Sequence, residues 1–167
     1  MSDKSKKIFL ALSIIVPFML YCMYYYGMMI KNAPYKFAEF EYLTFKYGLG
    51  DSLENQYNSK TQVYQYLNDR DSLVKTKVKL TKDDLLYLHR KAADLGFWNF
   101  PSDMKATGVI DGKQQPRYYL EFVYKRKSKR INFDIDYAGK PELKDAVRRL
   151  ITEVDDRIKA AEARDKE

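Results

Sequence analysis

The stretch "LVKTKVKLTKDDLLYLHRKAADLGF", Leu73 to Phe97, contains both periods from which a mixed fold is built. Val74, Thr76, Val78 and Leu80 alternate with Lys75, Lys77 and Lys79, a period of two that gives one strand an apolar and a basic face. At Thr81 the period changes. Asp84 follows it by three residues, a capping-box pair that satisfies free amides at a helix start. Leu80 and Leu85 fill the two staple positions around that cap, and Leu85, Leu88, Ala92 and Leu95 then recur at helical spacing. Gly96 ends the run as a left-handed cap, with Phe97 set to pack back. The spacing predicts a helix over 82–95.

Upstream, "EFEYLTFKY" (39–47) is rich in aromatic and β-branched residues and reads as a first strand. "GLGDSLENQYNSK" (48–60) supplies Gly, Asp and Asn at loop density and reads as a polar loop. "TQVYQYLN" (61–68) alternates again and reads as a second strand, with the 73–80 stretch as the third. Downstream, "FWNFP" places Phe97, Trp98 and Phe100 as a plug at one edge of the core, and 102–115 reads as a loop. Tyr118, Leu120, Phe122 and Tyr124 share one strand face, and Ile131, Phe133, Ile135 and Tyr137 share another. "KRKSKR" between them is a hairpin turn. Pro141 suits the first position of a last helix, whose stripe is Leu143, Val147, Leu150, Val154, Ile158 and Ala161. Its end, "KAAEARDKE", reads as a solvated, frayed tail.

Further out lies "IFLALSIIVPFMLYCMYYYGMMI", Ile8 to Ile30, which holds no charge. As a helix it spans about 34 Å at about 1.5 Å per residue, against a hydrocarbon core about 30 Å thick. A cleaved secretory signal has a shorter apolar core and small residues at its cleavage site. Here Tyr24, Tyr25 and Tyr26 obstruct such a site, and Tyr21 is too large to precede a lipidated Cys22. The run reads as an uncleaved anchor. Tyr21, Tyr24, Tyr25 and Tyr26 lie toward one end, as an aromatic belt does. A sharper reading makes Tyr21, Tyr25 and Met28, which share a side, the contact for a partner helix. Lys4, Lys6 and Lys7 cluster before the run, and long following domains translocate largely regardless of charge. The expected topology has a cytoplasmic N-terminus in a single-pass inner-membrane protein, with the C-terminal domain outside the cytoplasm.

The expected architecture is therefore α+β. An N-terminal transmembrane helix precedes a β-β-β-α-β-β-α domain, an antiparallel sheet with two helices packed on one face. Its segments are a cytoplasmic N-terminus (1–7), the transmembrane helix (8–30), a linker (31–38), the α+β domain (39–160) and a polar tail (161–167). This order, with Lys/Glu-rich helices and a loose first hairpin, resembles small domains of bacterial envelope proteins and lipoproteins. The resemblance covers about 39–160 and implies an envelope location and a fold. Those domains have no assigned chemistry, so it implies no mechanism. The chain also uses a helix where many of them carry a lipidated cysteine.

Residues 31–167 carry a net charge of +5 against +7 for the whole chain, a mild basic excess that permits affinity for anionic surfaces. Residues 31–167 have no cysteine and one histidine, His89, which reads as a half-buried packing residue. One histidine builds no metal cluster, and no Ser or Cys has an evident base nearby, so the reading contains no catalytic residue, cofactor or metal. The loop aspartates lack an EF-hand pattern. Asp134 and Asp136 share a strand face, and the simplest partner for that face is the Lys75, Lys77, Lys79 row.

Lys125, Arg126, Lys127, Lys129 and Arg130 form a basic cluster at the hairpin tip. It suits contact with an anionic surface, or simply a solvated turn that discourages edge pairing. The leading expectation is a non-enzymatic interaction module or accessory subunit, whose partners are the bilayer and another membrane or envelope protein, with no nucleic acid. The alternative is a binding module for an envelope polymer or anionic surface, using Tyr64, Tyr66 and Trp98. A partner-binding domain predicts an exposed apolar patch, and a polymer binder a groove lined by rings.

Overall fold

The structure, a computed structural model, describes residues 3–31 (side chains 3–27), 35–106 and 115–165. It divides into two compact units, Met1–Tyr35 and Lys36–Glu167. The first is a single helix, α1 (Asp3–Lys31), which takes in Lys4, Lys6 and Lys7 as well as the apolar run. Among the described residues it is the one helix long and apolar enough to cross a membrane. Pro17 lies inside it, and the Ser13 hydroxyl one turn earlier donates back to the Phe9 carbonyl at 2.8 Å.

The second unit is α+β. Its strands are β1 (Phe40–Leu49), β2 (Ser52–Asn58), β3 (Val63–Leu67) and β4 (Leu73–Lys77), followed by helix α2 (Lys82–Asp94). Then come β5 (Asp103–Met104), β6 (Pro116–Tyr124), β7 (Ser128–Asp134) and helix α3 (Pro141–Arg164). The strands form one sheet in the order β4-β3-β2-β1-β6-β7-β5, with every pairing antiparallel except β5 beside β7.

Two strands lie where loops were expected. β5 is two residues long and leaves no periodicity to read. β2 is a full strand whose polar residues conceal its alternation. Ser52, Glu54, Gln56 and Asn58 point to one side, and Leu53, Asn55 and Tyr57 to the other. Tyr57 is buried and donates its hydroxyl to the Val78 carbonyl at 3.1 Å, and burial pushes its phenol up to about 12. Only the turn at its start needs the glycines. A Cβ on Gly48 would lie 1.9 Å from the Ser52 carbonyl oxygen, and Gly50 has φ +56°.

Leu43, Phe45, Tyr57, Leu120, Phe122, Ile131 and Phe133 are buried on one side of the sheet. Leu88 of α2, and Val147, Leu150, Val154 and Ile158 of α3, are also buried. His89 of α2 touches Tyr124 of β6, and Ile151 of α3 lies beside Phe45, Tyr47 and Tyr118.

The capping box of α2 forms as its sequence predicts. Thr81 Oγ1 accepts from the Asp84 N–H at 3.1 Å, and Asp84 Oδ2 accepts from the Thr81 N–H at 3.0 Å. Gly96 is left-handed at φ +78°. Asp84 is itself buried and also takes Arg164 at 2.6 Å and Arg157 at 3.4 Å. Burial pushes its carboxyl up, but hydrogen bonds from Arg164 and Thr81 outweigh this and hold it below the usual range.

The end of α3 is therefore no frayed tail. Ala161 is buried, Arg164 holds the start of α2, and Asp165 accepts from the Lys79 N–H at 3.2 Å. Asp84→Ala should cost about 2–3 kcal/mol, combining a lost cap with lost charge-assisted bonds. Urea unfolding measures this, and a loss below about 0.5 kcal/mol, typical of surface sites, would remove Asp84 from the clasp.

Candidate binding face

The other side of the sheet holds an open depression that neither α2 nor α3 lines. Its floor comes from the residues that alternate with the core. On β1 these are Tyr42, Thr44 and Lys46, set against Leu43, Phe45 and Tyr47. Register then aligns side chains across five strand pairings. One transverse row reads Lys75, Gln65, Gln56, Lys46, Tyr119, Asn132. The next reads Lys77, Val63, Asn58, Thr44, Glu121, Arg130. Their central part floors an open depression of about 360 Å³, with Tyr42, Thr61 and Tyr119 among its walls.

Most polar groups in the depression are already oriented. Asn58 Nδ2 donates to Thr44 Oγ1 at 3.1 Å, and its Oδ1 accepts from the backbone N–H groups of Lys60 and Thr61. Gln65 Nε2 donates to the Glu54 carbonyl at 3.0 Å. Tyr119 donates its hydroxyl to Glu121 at 2.8 Å, and burial together with that bond pushes its phenol up to about 12, so it stays a donor. Lys46 Nζ lies over the Tyr119 ring at 5.8 Å, and Lys60 Nζ over the Tyr42 ring at 5.4 Å. The Gln56 amide, on the floor, makes no intramolecular hydrogen bond among the described residues.

The residues singled out from sequence fall elsewhere. The Tyr21 and Tyr25 rings stack with centroids 6.2 Å apart on α1, while the Met28 side chain lies outside the described residues. The basic hairpin cluster divides. Arg126 pairs with Glu39, Lys129 turns to the Phe100 carbonyl with its ammonium pKa lowered by burial, and Arg130 points to the open side. Lys125 is exposed at the tip, and Lys127 beside it is half-buried.

Asp134 does not meet the lysine row, because β7 and β4 lie far apart in the sheet. It is buried against Arg117, with Nε at 2.6 Å and NH2 at 2.9 Å. Of the three rings proposed for a polymer, Tyr64 is buried with its hydroxyl 2.9 Å from that of Tyr47, and Tyr66 is half-buried beside it. Trp98 packs against Phe97, Phe122 and Tyr124. The rings that border the depression are Tyr42 and Tyr119, which the sequence reading passed over. With β2 read as a loop, no register could bring Gln56 between Lys46 and Gln65.

His89 is a packing residue. Its Nδ1 lies 2.8 Å from the Tyr124 hydroxyl, and Phe37 and Trp98 each approach the imidazole with ring centroids 5.6 Å apart. Burial, helped by Arg90, lowers its pKa. Among the described residues no three His, Cys, Asp or Glu side chains converge as metal ligands. Two further hollows are open: one of about 230 Å³ between the rings of Phe45, Tyr47 and Tyr118 and the α3 residues Ile151, Asp155 and Lys159, and one of about 430 Å³ between α2 and α3 lined largely by charged groups. Large exposed apolar residues of the domain are the scattered Leu49, Val63 and Leu73, which form no patch among the described residues. Comparison with protein-family models gives no match, and comparison with curated proteins gives none either.

Proposed function

We propose that the protein is a single-pass, membrane-anchored interaction module of the bacterial envelope. In this reading α1 seats it in the inner membrane as an accessory subunit beside another membrane protein, and the α+β domain presents its open sheet side outside the cytoplasm. One observation carries the reading: from Ile8 to Gly27 every side chain of α1 except Cys22 is exposed. Apolar side chains lose about 1.5–3 kcal/mol each when left in water rather than buried, so a helix of this composition needs a bilayer or partner helices around it. The bulk of Tyr24, Tyr25 and Tyr26 supports retention over cleavage. Catalysis has no part in this reading, since the one histidine is tied to Tyr124 and residues 31–167 have no thiol.

Full-length protein carrying a C-terminal reporter active only outside the cytoplasm should give a signal and should stay with the membrane pellet after alkaline extraction. Purified in mild detergent, it should bring a membrane protein with it that residues 36–167 do not. Signal from a cytoplasmic reporter alone would invert the topology. A shortened chain in the soluble fraction would make α1 a cleaved signal. A full-length monomer running alone would overturn the accessory-subunit reading.

A further inference from the structure

We propose that the open side of the sheet binds an acidic polysaccharide, laid across the strands along the row Lys75, Gln65, Gln56, Lys46 and Tyr119. This goes beyond the anchoring reading and does not depend on it. Charge complementarity sets the sign. Lys46, Lys75, Lys77 and Arg130 sit on this side in register, and Lys60 hangs over its edge, against Glu54 and Glu121, while Arg117 and Asp134 on the same side neutralise each other. Glu121 is already engaged by Tyr119. Lys46 and Lys75 lie three strands apart, about 14 Å at about 4.8 Å per strand. That spacing matches a chain several sugar rings long rather than a single ion.

Chemistry between the cations narrows the class. Gln56 brings an amide without a hydrogen-bond partner among the described residues, and a primary amide offers two donors and an acceptor, the set that meets sugar hydroxyls. Nucleic acid fits less well, since single strands bind by stacking bases on free ring faces. Here Lys46 and Lys60 already cover the faces of Tyr119 and Tyr42. A planar membrane surface fits less well too, because Lys46 and Gln56 lie on the floor of a depression that a flat sheet of headgroups does not enter. A protein partner would favour an apolar centre, whereas Thr44, Lys46, Gln56, Asn58 and Gln65 floor this depression, with Val63 beside them.

The test uses full-length protein in nanodiscs of zwitterionic lipid, titrated with a galacturonate hexamer by calorimetry at low salt. Saturable binding is expected, weakening as salt rises. Neutral dextran of similar length should not bind. Lys46→Gln with Lys75→Gln should weaken the hexamer at least tenfold, while Lys125→Gln with Lys127→Gln at the hairpin tip should change it less than twofold. Circular dichroism and melting of each variant establish that the fold is kept, and Gln56→Ala alone, expected to weaken binding several-fold, provides a second measure. No binding of the hexamer, or equal binding by the Lys46/Lys75 variant, overturns the proposal. Tighter binding of a single-stranded oligonucleotide, or of nanodiscs with anionic lipid, overturns it in favour of that ligand.

Discussion

Phe133→Ala should destabilise the domain by about 3–5 kcal/mol, the range for removing a fully buried ring and leaving a cavity. Phe133 has no exposed surface, stands opposite Tyr118 on β6 and pairs with Met104 on β5. It thus joins three strands near one edge of the sheet. Domains of this size have a total stability of about 5–15 kcal/mol, so the variant should lose a large share of it. Leu88→Ala, equally buried on α2, should cost about 2–5 kcal/mol. Urea unfolding of the full-length protein, read by the domain's circular dichroism, measures both. A loss below about 0.5 kcal/mol at both sites would mean that the sheet buries its other side.

The side that is buried was legible because apolar residues fall on it at strict alternation. Leu120, Phe122 and Tyr124, then Ile131 and Phe133, leave one orientation for the β6–β7 hairpin, and all five are buried. The α2 cap was legible because Thr81 and Asp84 stand at the spacing that two reciprocal bonds require. β2 was not legible, because its outward positions face solvent polar groups and its inward positions include Asn55. That side chain serves the sheet by bonding, not by hydrophobicity, donating to the Tyr47 carbonyl at 3.2 Å and accepting from the Leu67 N–H at 3.0 Å.

The candidate face was hidden for the same reason. Its row is assembled from strands that are distant in sequence, and Lys46, Gln56 and Tyr119 become neighbours only through the pairing of β2 with β1 and β1 with β6. Local patterning therefore located the core, and long-range register located the surface. The partner of Asp134 depended on register too. From sequence the simplest partner for its strand face was the lysine row Lys75, Lys77 and Lys79, but strand order puts Arg117 directly opposite it.

Arg117→Ala should therefore cost about 3 kcal/mol at pH 7, toward the lower end of what breaking a buried pair costs. Asp134 is buried, and burial alone would push its carboxyl up. The Arg117 hydrogen bonds, joined by one from the Ala106 N–H at 3.0 Å, outweigh that and hold it below the usual range. A depressed native pKa adds stability above the unfolded value of about 3.9 and loses it as pH falls through the native one. Without the guanidinium, burial is opposed only by the Ala106 N–H and the charge of Lys105, so the native pKa rises relative to wild type. The carboxylate is then less well stabilised at neutral pH, and protonation relieves part of that cost. The gap between wild type and Arg117→Ala should accordingly be widest near pH 7 and narrow toward pH 3.5. Arg117 also reaches Asp51 in the β1–β2 turn, but Asp51 is almost fully exposed and adds little to that gap. Replacing both partners, Arg117→Met with Asp134→Leu, should recover most of the loss, since a packed apolar pair carries no unpaired charge. Urea unfolding of the three variants at both pH values measures this. A gap that does not change with pH, or a double variant no better than Arg117→Ala, would show that Arg117 acts through packing and not through the charge of Asp134.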